Sequence, residues 1–574
     1  MNKKINLIQK FLKKNKLNFF LFTNSDIHLN ESPNLILKDI YNLVSFDCSR
    51  GYLLVLENRI VFFTDSRYTL AANMHFDKSV LILDLQKNSI PDFINSFGCN
   101  FNGAIDPNLI SISEFEFISK ELKKKNNEIL PFKKFPLKKN YFPDFNRSYS
   151  FSLPKSYAPR HYMSNLSWLK KSLKSDGLLI WNNAHIAYLL NIRSFELENS
   201  TKPFAGLFIF KGNKKPIIIT NNKSLNKIIK IKNKFHVMSE KIFTNYIYIQ
   251  KIKTIELDYK YTNLNIYLSL IKLYKVQNSK INIDKFISKK TTVEFNNISL
   301  AHIEDGLSLT KFIIKIKVNK KPYTNEYSFI KELYNLRKEG INFFRNSFDY
   351  ISALDENGAI VHYKPTNKNS KKFHKQSIIL LDSGAHYLEG TTDVTRVIKL
   401  NNLKNSKIKK HYTYLLKSLI KLEKKTFHSK LKGSDLDTFI RGYLSQYDIF
   451  YGHGTGHGVG YFNDVHEKYP VISPSFSEKL FHNNLFSIEP GYYVPNSYGL
   501  RIENLYFSKI NKGKLKLINV TMVPYDLDLI NWSLITNQEK RHIKKYHETI
   551  FTNIYSRLDE TEKKNFHKLF IDKL

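Results

Sequence analysis

Four carboxylates and one imidazole, held in three short glycine-flanked segments, constrain this chain more than any other feature. Asp382 and Asp393 stand in DSGAHYLEGTTDVTR, His457 in GHGTGHGVG, and Glu489 and Glu503 in SIEPGYYVPNSYGLRIEN. The set is hard and oxygen-rich. It suits two divalent cations sharing bridging carboxylates, most of all Mn2+, with cobalt, iron and zinc as alternatives. Any fold that satisfies it must bring distant stretches into one pocket. The chemistry it points to is metal-dependent hydrolysis.

The spacing supports this. IILLDSG and TTDVTRVIKL are two runs of strand-forming residues. Tyr387 and Leu388 lie midway between Asp382 and Asp393, so a hairpin centred there sets the two carboxylates opposite each other. Opposed side chains on one strand pair lie about 5 Å apart, near enough to hold metals about 3.5–4 Å apart. The second segment repeats the device. LFSIEPGYY and YGLRIENLYF flank Pro-Asn-Ser, a turn signal, and Asn496 lies midway between Glu489 and Glu503. His457 adds a nitrogen ligand from a third segment. Taken singly, an Asp in a strand is usually a turn or edge residue, Glu-Pro-Gly only a turn, and HGTGHG a flexible loop. Two mirrored carboxylate pairs beside a Gly-rich histidine segment outweigh those readings.

With these residues in view, the chain resembles aminopeptidase P (Xaa-Pro aminopeptidase), in the metallopeptidase family that also holds prolidase and methionine aminopeptidase. The matching stretches are NGAIVHYKP, DSGAHYLEGTTDVTR, YGHGTGHGVG, DVHE, SIEPGYY and RIEN, in the family's order. Weaker matches extend further. SDIHLNE, TDSRYTLAA and HIAYLLNIRS resemble the first two domains of the long, three-domain members. AHIEDGLSL resembles the opening catalytic helix, and WSLITNQEKRHIKKYHETIF the C-terminal extension. The resemblance implies an α/β protein: two small α/β N-terminal domains, then a pita-bread catalytic domain around a curved antiparallel sheet, then a helical C-terminal extension. The implied substrates are peptides with penultimate proline, from which the first residue is released.

By the same resemblance, Asp382 binds one metal, His457 and Glu489 bind the other, and Asp393 and Glu503 bridge them. His362, His453 and His466 line the substrate site, with His362 and His466 toward the peptide carbonyl. Arg501 positions the Glu503 bridge by a charge-assisted hydrogen bond. Glu489 carries a proton toward the leaving proline nitrogen. The chain departs from the family pattern twice. Lys468, Tyr469 and Pro470 follow DVHE where Gly-Pro is usual, a change expected to alter the entrance near His466. Ile488 stands where a polar residue is common. Neither departure removes a ligand.

At 574 residues the chain is too long for one ordinary domain. The expected divisions are 1–150, 155–289, 290–525 and 526–574, with Pro136, Pro143 and Pro154 punctuating the first linker. The net charge is +38, which ordinarily prompts a nucleic-acid or membrane reading. The lysines, however, are spread along the whole length among abundant Asn, Ile and Phe, as in a residue bias toward A/T-rich codons. No specific nucleic-acid or membrane partner is expected. The only cysteines are Cys48 and Cys99, so a reducing cytoplasm is the simple reading. Lysines interrupt the N-terminal apolar residues, which argues against a secretory signal. No apolar run approaches the roughly 18 residues that span a bilayer. Ile5, Ile8, Phe11 and Leu12 predict a short amphipathic helix, and His302 a helix-packing residue. The tail, with Ile543, Tyr546, Ile550, Phe551 and Ile554, predicts an amphipathic helix packed on its own catalytic domain, with a homodimer contact implied by the resemblance.

Two alternatives remain at this level. One is a prolidase-type dipeptidase, disfavoured by length, by two preceding domains and by the C-terminal extension. The other is a non-catalytic peptide-binding member of the fold, disfavoured because all five ligand positions are filled.

Overall fold

The computed structural model describes residues 3–132, 137, 139–145, 148–226, 228, 234–318, 324–373, 378–403 and 405–574. Pro136 lies outside the described residues. The chain divides into two compact units, Met1–Ile283 and Asp284–Leu574.

The first unit contains two six-stranded sheets with one topology. The first sheet comprises β1 (Phe19–Thr23), β2 (Gly51–Leu56), β3 (Ile60–Thr64), β4 (Val80–Asp84), β5 (Asn102–Ile105) and β6 (Glu128–Pro131), in the order β4-β3-β2-β1-β5-β6. The second comprises β7 (Gly177–Ile180), β8 (Gly206–Phe210), β9 (Ile217–Ile219), β10 (His236–Met238), β11 (Thr254–Leu257) and β12 (Lys275–Asn278), in the order β10-β9-β8-β7-β11-β12. β1 runs antiparallel to β2 and parallel to β5. β7 runs antiparallel to β8 and parallel to β11. β1 reads FFLFT, an unbroken apolar run, because both of its faces are covered. Phe20 and Phe22 enter one core with Ile5, Ile8 and Leu12 of the helix Lys3–Lys14. Phe19 and Leu21 enter the other with Ile118 and Leu122. Both cysteines are free, Cys48 buried and Cys99 exposed.

The second unit contains the 27-residue helix Thr292–Val318. A three-stranded sheet joins Ile351–Leu354, Ile378–Ser383 and Val394–Lys399. A six-stranded antiparallel sheet follows the order Phe427–His428, Lys514–Asn519, Asn504–Asn511, Leu485–Ile488, Gly456–Gly458, Glu467–Ile472. A separate two-stranded ribbon pairs Gly491–Val494 with Tyr498–Arg501. The five candidate ligands therefore sit on these strands or at their ends. The C-terminal helices Asn537–Ile554 and Glu560–Phe570 pack on this same unit. Ile550, Ile554, Phe566 and Phe570 share a core with Leu309, Phe312, Ile379 and Leu381. His302 is buried with Nδ1 2.8 Å from the Ile298 carbonyl, as a packing residue should be. Among the described residues, no helix is long and apolar enough to cross a membrane.

Candidate metal centre

The first carboxylate pair comes from the hairpin of Ile378–Ser383 and Val394–Lys399, and its register corrects the expected one. Asp382 faces Thr395, and Tyr387 faces Gly390. The turn is thus centred on Leu388 and Glu389, not on Tyr387 and Leu388. Side chains alternate with period two, so a slip of two residues keeps a side chain on its face. Asp393 remains on the face of Asp382, as a diagonal neighbour and not the directly opposed residue. Gly384 permits the close crossing here: a Cβ at that position would lie 2.1 Å from the Thr392 carbonyl oxygen.

The second pair has the expected register. Gly491 faces Arg501, Val494 faces Tyr498, and Ile488 faces Asn504, an arrangement symmetric about Asn496. Asn496 has φ 58°, the left-handed region that asparagine tolerates at a turn. Alternation then places Glu489, Gly491 and Tyr493 on one face with Gly499, Arg501 and Glu503. His457 arrives on the neighbouring strand. Its backbone N–H donates to Ser487 Oγ at 3.1 Å, and that hydroxyl donates to Glu489 Oε1 at 3.2 Å. A Cβ on Gly456 would lie 1.8 Å from the Ser487 carbonyl oxygen, so glycine is what lets these two ligand-bearing strands meet.

The side chains converge. His457 Nε2 lies 3.5 Å from Asp393 Oδ2 and 3.4 Å from Glu489 Oε1. Ligand atoms of Asp393, His457 and Glu503 all lie within 4.8 Å of one another, a grouping able to hold a metal ion. His457 Nδ1 is 3.0 Å from the Gly458 carbonyl, which assigns the ring proton to Nδ1 and leaves the Nε2 lone pair facing the carboxylates. Asp382 Oδ1 is buried, and among the described residues no donor reaches it. A bare buried carboxylate oxygen beside three more acids and one imidazole nitrogen is a donor set that fits divalent cations.

The electrostatics agree. Burial pushes the Asp393 carboxyl well above the usual range, and crowding by Glu503, Asp382 and Glu489 raises it further. Glu503 is raised well above its ordinary value by burial and then by Glu489 and Asp382. Glu489 is pushed up to about 7, chiefly by burial. Like charges packed this closely need cationic partners to stay ionised.

Arg501 differs from its expected role. Its direct partner is Asp382, with Nη2 2.6 Å from Oδ2. It reaches Glu503 only through Thr395: Nε donates to Thr395 Oγ1 at 3.2 Å, and that hydroxyl donates to Glu503 Oε2 at 2.8 Å. Nη1 donates to the Tyr493 hydroxyl at 2.8 Å, and Tyr493 OH lies 2.8 Å from His453 Nε2. His453 Nδ1 is 2.8 Å from the Gly454 carbonyl, so Tyr493 donates to Nε2. The His466 ring stands 4.3 Å from that of His457, at 77°. His362 is half-buried in the turn after the short helix Asp355–Ala359. Gly358 of that helix abuts Gly499, whose added Cβ would lie 1.7 Å from the Gly358 carbonyl oxygen, so the helix is seated against the Arg501 ribbon.

Neither family departure intrudes on the ligands. Tyr469 is buried, with its ring 5.3 Å from Phe476 and 5.7 Å from Phe481. Ile488 is fully buried. Sequence reasoning did not single out Thr395, Ser487 or Tyr493. The signal that could have found Tyr493 is strand alternation, since it is two strand positions from Gly491 and four from Glu489.

Residues 298–508 match metallopeptidase family M24, and residues 513–568 match the C-terminal region of peptidase M24. The chain is 27% identical over 601 residues to Xaa-Pro aminopeptidase 1 of Dictyostelium discoideum, covering 98% of this chain and 94% of that protein. It superposes on the X-prolyl aminopeptidase of Caenorhabditis elegans, described as a cytosolic enzyme with a di-nuclear active site, with a TM-score of 0.89 at 23% identity over 99% of both chains. A prolidase from Thermococcus sibiricus superposes with a TM-score of 0.53 at 22% identity, over 64% of this chain and 98% of its own. The fold is thus the pita-bread type with a C-terminal helical region.

Proposed function

We propose that this chain, whose residues 298–508 belong to metallopeptidase family M24, is a dinuclear-metal Xaa-Pro aminopeptidase. It releases the N-terminal residue from peptides with proline at the second position. The observation that carries this reading is the convergence on His457 Nε2 of carboxylates from separate hairpins, Asp393 at 3.5 Å and Glu489 at 3.4 Å, with Glu503 in the same cluster.

Asp382, Asp393, His457, Glu489 and Glu503 would hold the two ions, with Asp382 assigned to one, His457 and Glu489 to the other, and Asp393 and Glu503 shared between them. Manganese is the ion this donor set favours. When bound, the ions supply Lewis-acid activation of a water molecule and of the scissile carbonyl. Arg501 fixes the orientation of Asp382 directly and of Glu503 through Thr395. Ser487 orients Glu489, which carries the proton toward the leaving proline nitrogen. Tyr493 holds His453 in the tautomer with its proton on Nδ1. His362 and His466 face the peptide carbonyl.

Likeness over the full chain favours the aminopeptidase over the prolidase reading, since the prolidase match stops at about two thirds of the chain. We read two α/β domains at 1–150 and 155–289, each built on one of the two like sheets. They precede a catalytic domain at 290–525 and a helical extension at 526–574. A cytoplasmic homodimer accords with the two free cysteines and with the C-terminal extension. A monomer in sedimentation at micromolar concentration would remove the dimer.

The deciding assay offers Arg-Pro-Pro and Gly-Pro to the purified protein with added Mn2+ and reads products by mass spectrometry. Release of arginine with Gly-Pro spared, abolished by chelation and restored by metal, is the expected result. Preference for Gly-Pro would establish the prolidase reading. Peptide binding without cleavage in either would establish a binding module.

A further inference from the structure

Arg396 is a buried cation behind the metal centre that no step of the proposed reaction uses. Its Nη1 donates to the Glu503 carbonyl at 2.7 Å and to the Thr395 carbonyl at 2.9 Å. Nη2 shares its two protons among Asn504 Oδ1 at 2.8 Å, the Val523 carbonyl at 2.8 Å and the Tyr546 hydroxyl at 3.1 Å. Nε lies 3.3 Å from the carbonyls of Val523 and Pro524. The ring of Tyr525 is 4.7 Å away. Among the described residues, every one of these partners is neutral. A guanidinium kept from water without a paired carboxylate is expensive, so its position depends on this full set of neutral acceptors.

Thr395 stands between Asp393 and Arg396 in sequence, and the Glu503 N–H donates to the Thr395 carbonyl at 3.2 Å. One guanidinium therefore ties together the backbones that carry both bridging carboxylates. Its far side is closed by Tyr546, from the C-terminal helix Asn537–Ile554. The Tyr546 hydroxyl lies 2.9 Å from the carbonyls of Thr521 and Val523. Its single proton serves one of these, while its oxygen accepts from Arg396.

We propose that Arg396 and Tyr546 are positioning residues that fasten the Asp393 and Glu503 backbones to the C-terminal helices, so that the extension sets how tightly the metal pair is held. This rests on the two-metal reading above, and the test separates the two. Full-length protein is stripped with chelator and titrated with Mn2+, while electron paramagnetic resonance counts free ion and records the spin-coupled pair. Tyr546→Phe keeps the ring packing and is expected to weaken the second Mn2+ about tenfold, within the range usual for outer ligand-supporting residues. Arg396→Lys keeps the charge and should weaken it further. Phe566→Leu, in the same core but away from Arg396, lowers the thermal midpoint and leaves the affinity alone. Wild-type protein with no coupled signal defeats the metal reading itself. A wild-type pair matched in affinity and coupling by Tyr546→Phe and Arg396→Lys overturns the fastening alone, as does an equal loss in Phe566→Leu.

Discussion

Arg501 Nη2 lies 2.6 Å from Asp382 Oδ2, so the site holds one fixed cation against one specific ligand carboxylate. Among the described residues, no donor reaches the other Asp382 oxygen. A planar fork achieves this where a point charge cannot, because the same group also reaches Thr395 and Tyr493. Arg501→Lys keeps the charge and loses the fork. The expected outcome is a fall in kcat of about 10–100-fold, with the fold intact by circular dichroism. Normal kcat in the lysine variant would show that the fork does not matter.

Glu489→Gln should lose about 10²–10⁴-fold in turnover, the range for a removed general acid–base group. The same variant relieves crowding. Glu489 sits at about 7 in the metal-free protein, so at pH 8 its ionised form destabilises the fold. Chelated Glu489→Gln is expected to melt no lower than chelated wild type at pH 8. Near-normal turnover would deny Glu489 the proton-carrying role.

How far the sequence announces this site differs between its two hairpins. Pro-Asn-Ser is a turn signal with residues suited to the backbone it needs, so the register about Asn496 was readable. The turn at Leu388 and Glu389 has no such signal, and the midpoint of the two aspartates falls one residue before its centre. The face survived because strand side chains repeat every two residues. The direct partner of Arg501 was not readable, since it depends on how two separate hairpins pack. Arg396 was silent for the same reason: its oxygens come from residues 395, 503, 504, 523, 524 and 546. The likeness of the first unit's two sheets lies in strand order, which leaves no repeat in the residues themselves.

Gly456→Ala tests the meeting of the His457 and Glu489 strands. Its Cβ would lie 1.8 Å from the Ser487 carbonyl oxygen, a backbone atom that cannot swing away. The strands must part, at a cost of at least about 1–3 kcal/mol. Denaturant unfolding should show that loss, and Mn2+ binding should weaken with it. Wild-type stability and affinity in this variant would contradict the packing described.

Metal binding should be linked to protons. Asp393 and Glu503 are both raised, first by burial and then by neighbouring carboxylates, Glu503, Asp382 and Glu489 for Asp393 and Glu489 and Asp382 for Glu503, so the metal-free protein retains protons that cations displace. Mn2+ affinity is therefore expected to fall as pH drops. Calorimetric titration in two buffers of different ionisation enthalpy reads the released protons directly. Identical heats in both buffers would contradict the linkage.

Glu196, in the first unit, gives a pH dependence separate from the metal site. It is buried, accepting from the Phe204 N–H at 3.2 Å and from Asn222 Nδ2. Burial raises it from 4.5 to about 7, against the partial relief of its hydrogen bonds from Ser194, Asn222 and Phe204. Between those two values the folded chain keeps a proton that the unfolded chain has released. Stability is thus fully present below pH 4.5, falls across that window and is level above it. The loss is on the order of 3 kcal/mol. Glu196→Gln has no charge to bury, though its NH2 faces one of the two donors, Asn222 Nδ2 or the Phe204 N–H, without accepting from it. With chelator present throughout, urea unfolding at pH 5 and pH 8 should show a smaller difference between the two pH values in the variant than in wild type. An equal difference in both proteins would place the charge of Glu196 in water or beside a cation, against the buried geometry seen here.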